Sequence, residues 1–133
     1  MPSINKTRTK ILIFSIVATF VVIRGWLYFY PNTDLDVAGF NIHHLYTGIL
    51  LMLIGGIPVI LFSEPGRILD IATAVFGIGL SLALDEWVYL IATDGSNESY
   101  LLPVSFWGGL ILVGLSCLYI LILLLLSNKK DNT

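Results

Sequence analysis

Four long apolar stretches alternate with short polar ones along this chain. Ile11 to Tyr30, His43 to Phe62, Ile68 to Ile91 and Pro103 to Leu126 each match the roughly 30 Å hydrocarbon core of a bilayer, which about 20 helical residues cross. Lipid leaves backbone N–H and C=O groups unsatisfied, so a lipid-facing span must be a helix or a closed barrel strand. The period-2 alternation of a membrane barrel is absent here. The pattern predicts an all-α, four-transmembrane-helix bundle forming one membrane domain over residues 1–133, with helices at approximately 11–30, 43–62, 68–91 and 103–126.

The polar breaks agree with this division. "YPNTDLDVAGFN" and "ATDGSNESYL" are rich in turn formers, and "SEPGR" is so short that the second and third helices must be antiparallel neighbours. Pro103 suits a first helical turn, whereas Pro58 is expected inside the second helix, with a kink.

Composition fits a membrane protein: 56% of the 133 residues are apolar and only 12% are charged. The basic residues then orient the bundle. Lys6, Arg8 and Lys10 precede the first helix, Arg67 sits in the second connector, and Lys129 and Lys130 follow the fourth helix. The first and third connectors carry Asp34, Asp36, Asp94 and Glu98 without Lys or Arg. By the positive-inside rule both termini are cytoplasmic, N-in/C-in, in a membrane expected to be the prokaryotic cytoplasmic membrane. Trp26, Tyr28, Phe29, Tyr30, Trp87, Tyr89, Tyr100 and Trp107 then belong to an aromatic belt at the outer interface.

Cys117 is the lone cysteine and falls inside the fourth helix, so no disulfide redox centre is expected. No nucleic acid is expected as a partner. Membrane lipids are, and further copies of the chain are an alternative.

The residues that resist this simple picture are Arg24, His43, His44, Asp85 and Glu86. At about 1.5 Å of rise per residue they all fall in the outer third of the membrane. On the second helix His44, Gly48 and Gly55 share a stripe, and on the third Gly77, Ser81 and Asp85 share another. Packing those two stripes together would bring His44 level with Asp85. Glu86 lies about 100° around the helix from Asp85, so the two acids are expected to face different partners, one a histidine and the other Arg24.

Two histidines and two carboxylates can hold zinc, iron or manganese, which makes His43, His44, Asp85 and Glu86 candidate ligands of a divalent metal. Adjacent histidines do not readily place both rings on one ion, however, and no H-x-x-x-H is present. The same residues without metal form a proton-responsive network. A third use is recognition of a polar lipid headgroup, with Arg24 holding phosphate, the acids holding an amine or hydroxyls, and Tyr28, Tyr46 or Tyr89 as further hydroxyl donors to the cluster. The plainer reading makes Arg24 and the acids a polar clamp between helices, and the tyrosines belt aromatics.

"IHHLYTGILLMLIGG" followed by "FGIGLSLALDEW" resembles a group of small uncharacterised prokaryotic integral membrane proteins that pair an I-H-H-x-x-x-G helix with a G-I-G-L-x-L-x-x-D-E helix. The resemblance covers about a third of the chain and implies that His43, His44, Gly48, Gly77, Gly79, Asp85 and Glu86 belong together. It names no substrate. The expectation is an outward-facing pocket, formed chiefly by the first three helices, that binds a divalent metal or a polar lipid headgroup. A metal-dependent membrane hydrolase is the enzyme alternative, and a structural or oligomeric subunit held by a polar clamp is the other.

The orientation is directly testable. Cysteines introduced at Asp36 and Asn97 should react with an impermeant thiol reagent applied from outside the cell, and one at Arg67 should not. Labelling at Arg67 from outside would invert the topology.

Overall fold

The computed structural model describes residues 4–131; the side chains of Lys129 and Lys130, used in the charge argument, lie outside what is described. Its elements are α1 (Lys6–Phe29), a two-residue hairpin of β1 (Asp36–Val37) and β2 (Phe40–Asn41), α2 (His44–Leu61), α3 (Arg67–Ala92), the short α4 (Asn97–Tyr100) and α5 (Pro103–Asp131). Four of these helices, α1, α2, α3 and α5, are long and apolar enough to cross a membrane. The chain is therefore a four-helix, all-α membrane protein.

Where the boundaries depart from the hydrophobic pattern, local chemistry accounts for it. α1 begins five residues before its apolar run because the Asn5 side chain accepts the Arg8 N–H at 3.0 Å and caps the polar first turn. α2 runs through Pro58 and ends one turn later at Leu61, which places the proline in the last turn rather than mid-helix. The connectors also hold more structure than turn-former composition alone suggested. Antiparallel pairing of Asp36 with Asn41 and Val37 with Phe40 closes the hairpin, and Ala38 and Gly39 supply the positive φ of its turn.

α3 is the hub. α1, α2 and α5 all pack on it, α1 also touches α5, and α1 and α2 scarcely meet. The start of α1 and the end of α5 lie at one end of the bundle, where the Ile4 N–H donates to Ser127 Oγ at 3.3 Å. The hairpin and α4 cover the other end.

Small residues permit the contact between α2 and α3. A Cβ at Gly48 would lie 2.5 Å from the Gly79 carbonyl oxygen, and one at Gly79 would lie 2.5 Å from the Gly48 carbonyl oxygen. Gly55 meets the backbone of Ala72 and Phe76 in the same way. The backbones touch without side chains between them, which is the close approach expected of small-residue membrane interfaces.

One expected stripe faces elsewhere. Gly77 lies against Ser15 and Leu12, and the Ser81 hydroxyl donates to the Ile16 carbonyl at 2.8 Å, so Gly77 and Ser81 seat α1 rather than α2. The surface that receives α2 is rotated from it and runs through Ala72, Phe76, Gly79 and Ala83. Both faces of α3 are rich in small residues, so composition alone could not assign partners.

Added bulk should therefore act at two separate contacts. Gly48→Leu and Gly77→Leu should each lower the thermal midpoint in detergent, at an overpacking cost of at least about 1–3 kcal/mol. Gly114→Leu should be tolerated, because nothing lies within 4 Å of a Cβ built there. Equal midpoints for the three variants would contradict these assignments.

Candidate functional site

At the hairpin end, the five residues singled out in the sequence as a cluster converge with Tyr100, expected only in the aromatic belt, and with Ser105 and Gly109. Arg24 reaches from α1 toward Asp85 on α3, and its Nε donates to Asp85 Oδ1 at 2.5 Å. The remaining N–H groups of the guanidinium are also placed. Nη1 donates to the Tyr100 carbonyl and to Ser105 Oγ, both at 3.2 Å. Nη2 donates to the carbonyls of Asp85 at 3.2 Å and Ser105 at 3.0 Å. One side chain thus ties α1 to α3, to α4 and to α5, while its charge lies 4.2 Å from the Tyr100 ring centroid.

Asp85 is fully buried and shares out its two oxygens. Oδ1 takes Arg24, and Oδ2 accepts from the Tyr100 hydroxyl and lies 2.9 Å from His44 Nε2. Gly109 on α5 makes room for the ion pair, since a Cβ there would come 3.0 Å from Asp85 Oδ1 and 3.1 Å from Arg24 Nη2. Burial, and then the nearby Asp85 carboxylate, push the Tyr100 phenol far up from its ordinary range, so Tyr100 stays protonated as a donor.

Glu86 serves α2. His43 is the N-cap of that helix but makes no side-chain capping bond. Glu86 Oε2 instead accepts the Leu45 N–H at 2.8 Å, supplying from α3 the capping carboxylate that α2 lacks. Its other oxygen, Oε1, lies 3.2 Å from His43 Nδ1 and 3.3 Å from His44 Nδ1.

The expectation that the adjacent acids face different partners is therefore corrected. His44 stands between them, with Nε2 on Asp85 and Nδ1 beside Glu86, and Asp85 faces Arg24 and a histidine at once. The 100° separation holds for the helix positions, but a flat ring with nitrogens on two edges spans it.

The tyrosines divide. Tyr89 is 2% exposed, donates its hydroxyl to the Ser96 carbonyl at 3.1 Å, and packs edge-on against Tyr100. Tyr28 and Tyr46 are 70% and 55% exposed and stand apart from the cluster.

Above the cluster is a cavity of about 390 Å³ whose lining includes Trp26, Asp34, His43, His44, Glu86 and Tyr89. The hairpin forms part of its wall through Leu35 and Asn41. Asp34 accepts from the side-chain amides of Asn41 and Asn97, both at 3.1 Å, and so ties the hairpin to α4. Arg24 does not line this cavity; its donors are spent beneath it.

Ser105 and Gly109 were missed in the sequence, and Tyr100, expected in the outer aromatic belt, is instead buried with its hydroxyl on Asp85. Ser105 is a first-turn serine that carries no motif. The one available signal was Arg24 itself: a guanidinium with five donors needs more acceptors than a single carboxylate offers. Among the described residues, no group of three or more His, Cys, Asp and Glu side chains is arranged to hold a metal ion. In comparisons with protein-family models, curated proteins and solved structures, nothing matches the chain.

Proposed function

We propose that the cavity at the hairpin end faces outward and binds the headgroup of a membrane lipid. The observation that carries this reading is a membrane-level cavity whose wall is part apolar, with Ile23, Leu27 and Leu82, and part polar, with His43, His44 and Glu86. Such a mixed lining suits a ligand whose polar and apolar parts are joined.

The cluster divides into two tasks. Arg24 and Asp85 fasten helices, because the guanidinium is saturated by acceptors on three other elements. Glu86, His43 and His44 line the cavity and are the groups a ligand would meet. Arg24 is thereby removed from the role of phosphate holder, and Tyr28 and Tyr46 from that of hydroxyl donors.

The competing reading places a divalent metal on His43, His44, Asp85 and Glu86. A metal drawing on Asp85 would have to displace His44 or Tyr100 from one oxygen and sit near the Arg24 charge, 2.5 Å from the other. A metal on Glu86 Oε2 would compete with the Leu45 N–H that starts α2, and one on Oε1 would have to replace the contacts that oxygen makes with His43 and His44. Metal-dependent hydrolysis depends on the same ligands and meets the same competition.

One preparation separates the readings. Protein purified in mild detergent without chelator should retain lipid at close to one molecule per chain by mass spectrometry, with metals well below stoichiometric by elemental analysis. Glu86→Gln keeps an acceptor for the Leu45 N–H while removing charge, so it should stay folded and lose lipid. Stoichiometric metal that is lost in both His44→Ala and Glu86→Gln would replace the lipid reading with the metal one.

A further inference from the structure

Beside the headgroup cavity runs a second hollow of about 260 Å³, lined by Ala18, Thr19, Val22, Ile23 and Leu82. Ile23 and Leu82 line both spaces, so the two adjoin. The second hollow lies between α1 and Leu82 of α3, on the side where Leu82 packs beside Gly48 of α2 and where α1 and α2 scarcely touch. Ala18 is about 9 Å down α1 from Arg24 at about 1.5 Å per residue, so the hollow descends from the polar cluster along the flank of the bundle. It is apolar except for Thr19.

The charge of the cavity selects the head. Its lining holds two carboxylates, Asp34 and Glu86, and neither Lys nor Arg. Asp34 accepts only from the neutral amides of Asn41 and Asn97, which leaves its charge without a cationic partner among the described residues. His43 stands beside the second carboxylate, with Nδ1 3.2 Å from Glu86 Oε1, and no partner for its Nε2 is found among the described residues. Trp26, half exposed, adds an aromatic surface to the same wall. A carboxylate without a cationic partner and an aromatic surface together recognise an ammonium group.

We infer that the ligand is a membrane amphiphile with an ammonium-bearing head, seated with that head in the cavity and an acyl chain in the flank groove over Leu82. This rests on the headgroup reading above and narrows it. A water-soluble amine would use the head cavity alone; an intact lipid uses both hollows.

The test uses the full chain in detergent and native mass spectrometry, with dioleoyl phosphatidylethanolamine and dioleoyl phosphatidylglycerol as lipids of equal chain length and glycerophosphoethanolamine as the chainless head. Phosphatidylethanolamine should bind at least about tenfold more tightly than phosphatidylglycerol, the difference expected of a charged hydrogen bond. Glycerophosphoethanolamine should fail to displace it. Ala18→Phe, which fills the groove and leaves the head cavity intact, should weaken phosphatidylethanolamine binding by a similar factor, and Asp34→Asn should erase the preference between the lipids. Equal binding of the two lipids would overturn the ammonium assignment. Displacement by the chainless head at matched concentration would overturn the chain seat while leaving headgroup binding in place. Binding of neither lipid to the wild-type chain would remove the headgroup reading itself, and this inference with it.

Discussion

The ion pair of Arg24 and Asp85 is the constraint around which the hairpin end is organised. A charge in a membrane interior is costly, and truncating one partner of a buried pair costs about 3–5 kcal/mol because the other charge is stranded. Here the cost is offset by distribution. Arg24 gives its donors to a carboxylate, a hydroxyl and three backbone carbonyls. Those carbonyls belong to Asp85, Tyr100 and Ser105, so the guanidinium also fixes where α4 and the start of α5 lie. With Asp85 held, Tyr100 and His44 have a fixed acceptor, and the wall of the cavity follows from their positions.

The second constraint is the backbone contact of α2 with α3. Gly48 and Gly79 bring the helices close enough for Glu86 to reach the first turn of α2 and cap it from outside. His43 and His44 are therefore held by two different means, a carboxylate at each ring and a capped helix start beneath both. Because α1 is drawn toward α5 and α3 by Arg24 while, among the described residues, α2 packs almost wholly on α3, a gap opens between α1 and α2. The cavity and its flank groove occupy that gap.

Much of this was legible in the chain. Four apolar runs were enough for the four spans, since a bilayer leaves the backbone little choice, and Gly48 with Gly55 marked the face of α2 that meets α3. The meeting of Arg24, His43, His44, Asp85 and Glu86 followed from their common depth. Less could be read about direction around the helix axis. α3 carries small residues on nearly every side, so Gly77 and Ser81 looked as suited to α2 as to α1, which they in fact seat. Adjacency also misled for Asp85 and Glu86, because it ignored the width of an imidazole. Tyr100 looked like one more belt aromatic, and Ser105 and Gly109 carried no pattern of their own; a serine near the start of a helix announces a cap, and only the appetite of a guanidinium for acceptors gives it another purpose.

Arg24 and Asp85 hold the bundle together, and in the proposed function Glu86 and the histidines are left to meet the ligand. A double-mutant cycle on unfolding in detergent measures that division most directly. Arg24→Gln and Asp85→Asn should each lower stability strongly, and the double variant should lose less than the two singles combined, with a coupling of about 0.5–3 kcal/mol as for residues in one buried network. Strict additivity, or an Arg24→Gln variant as stable as the wild type, would contradict the central place given to this pair.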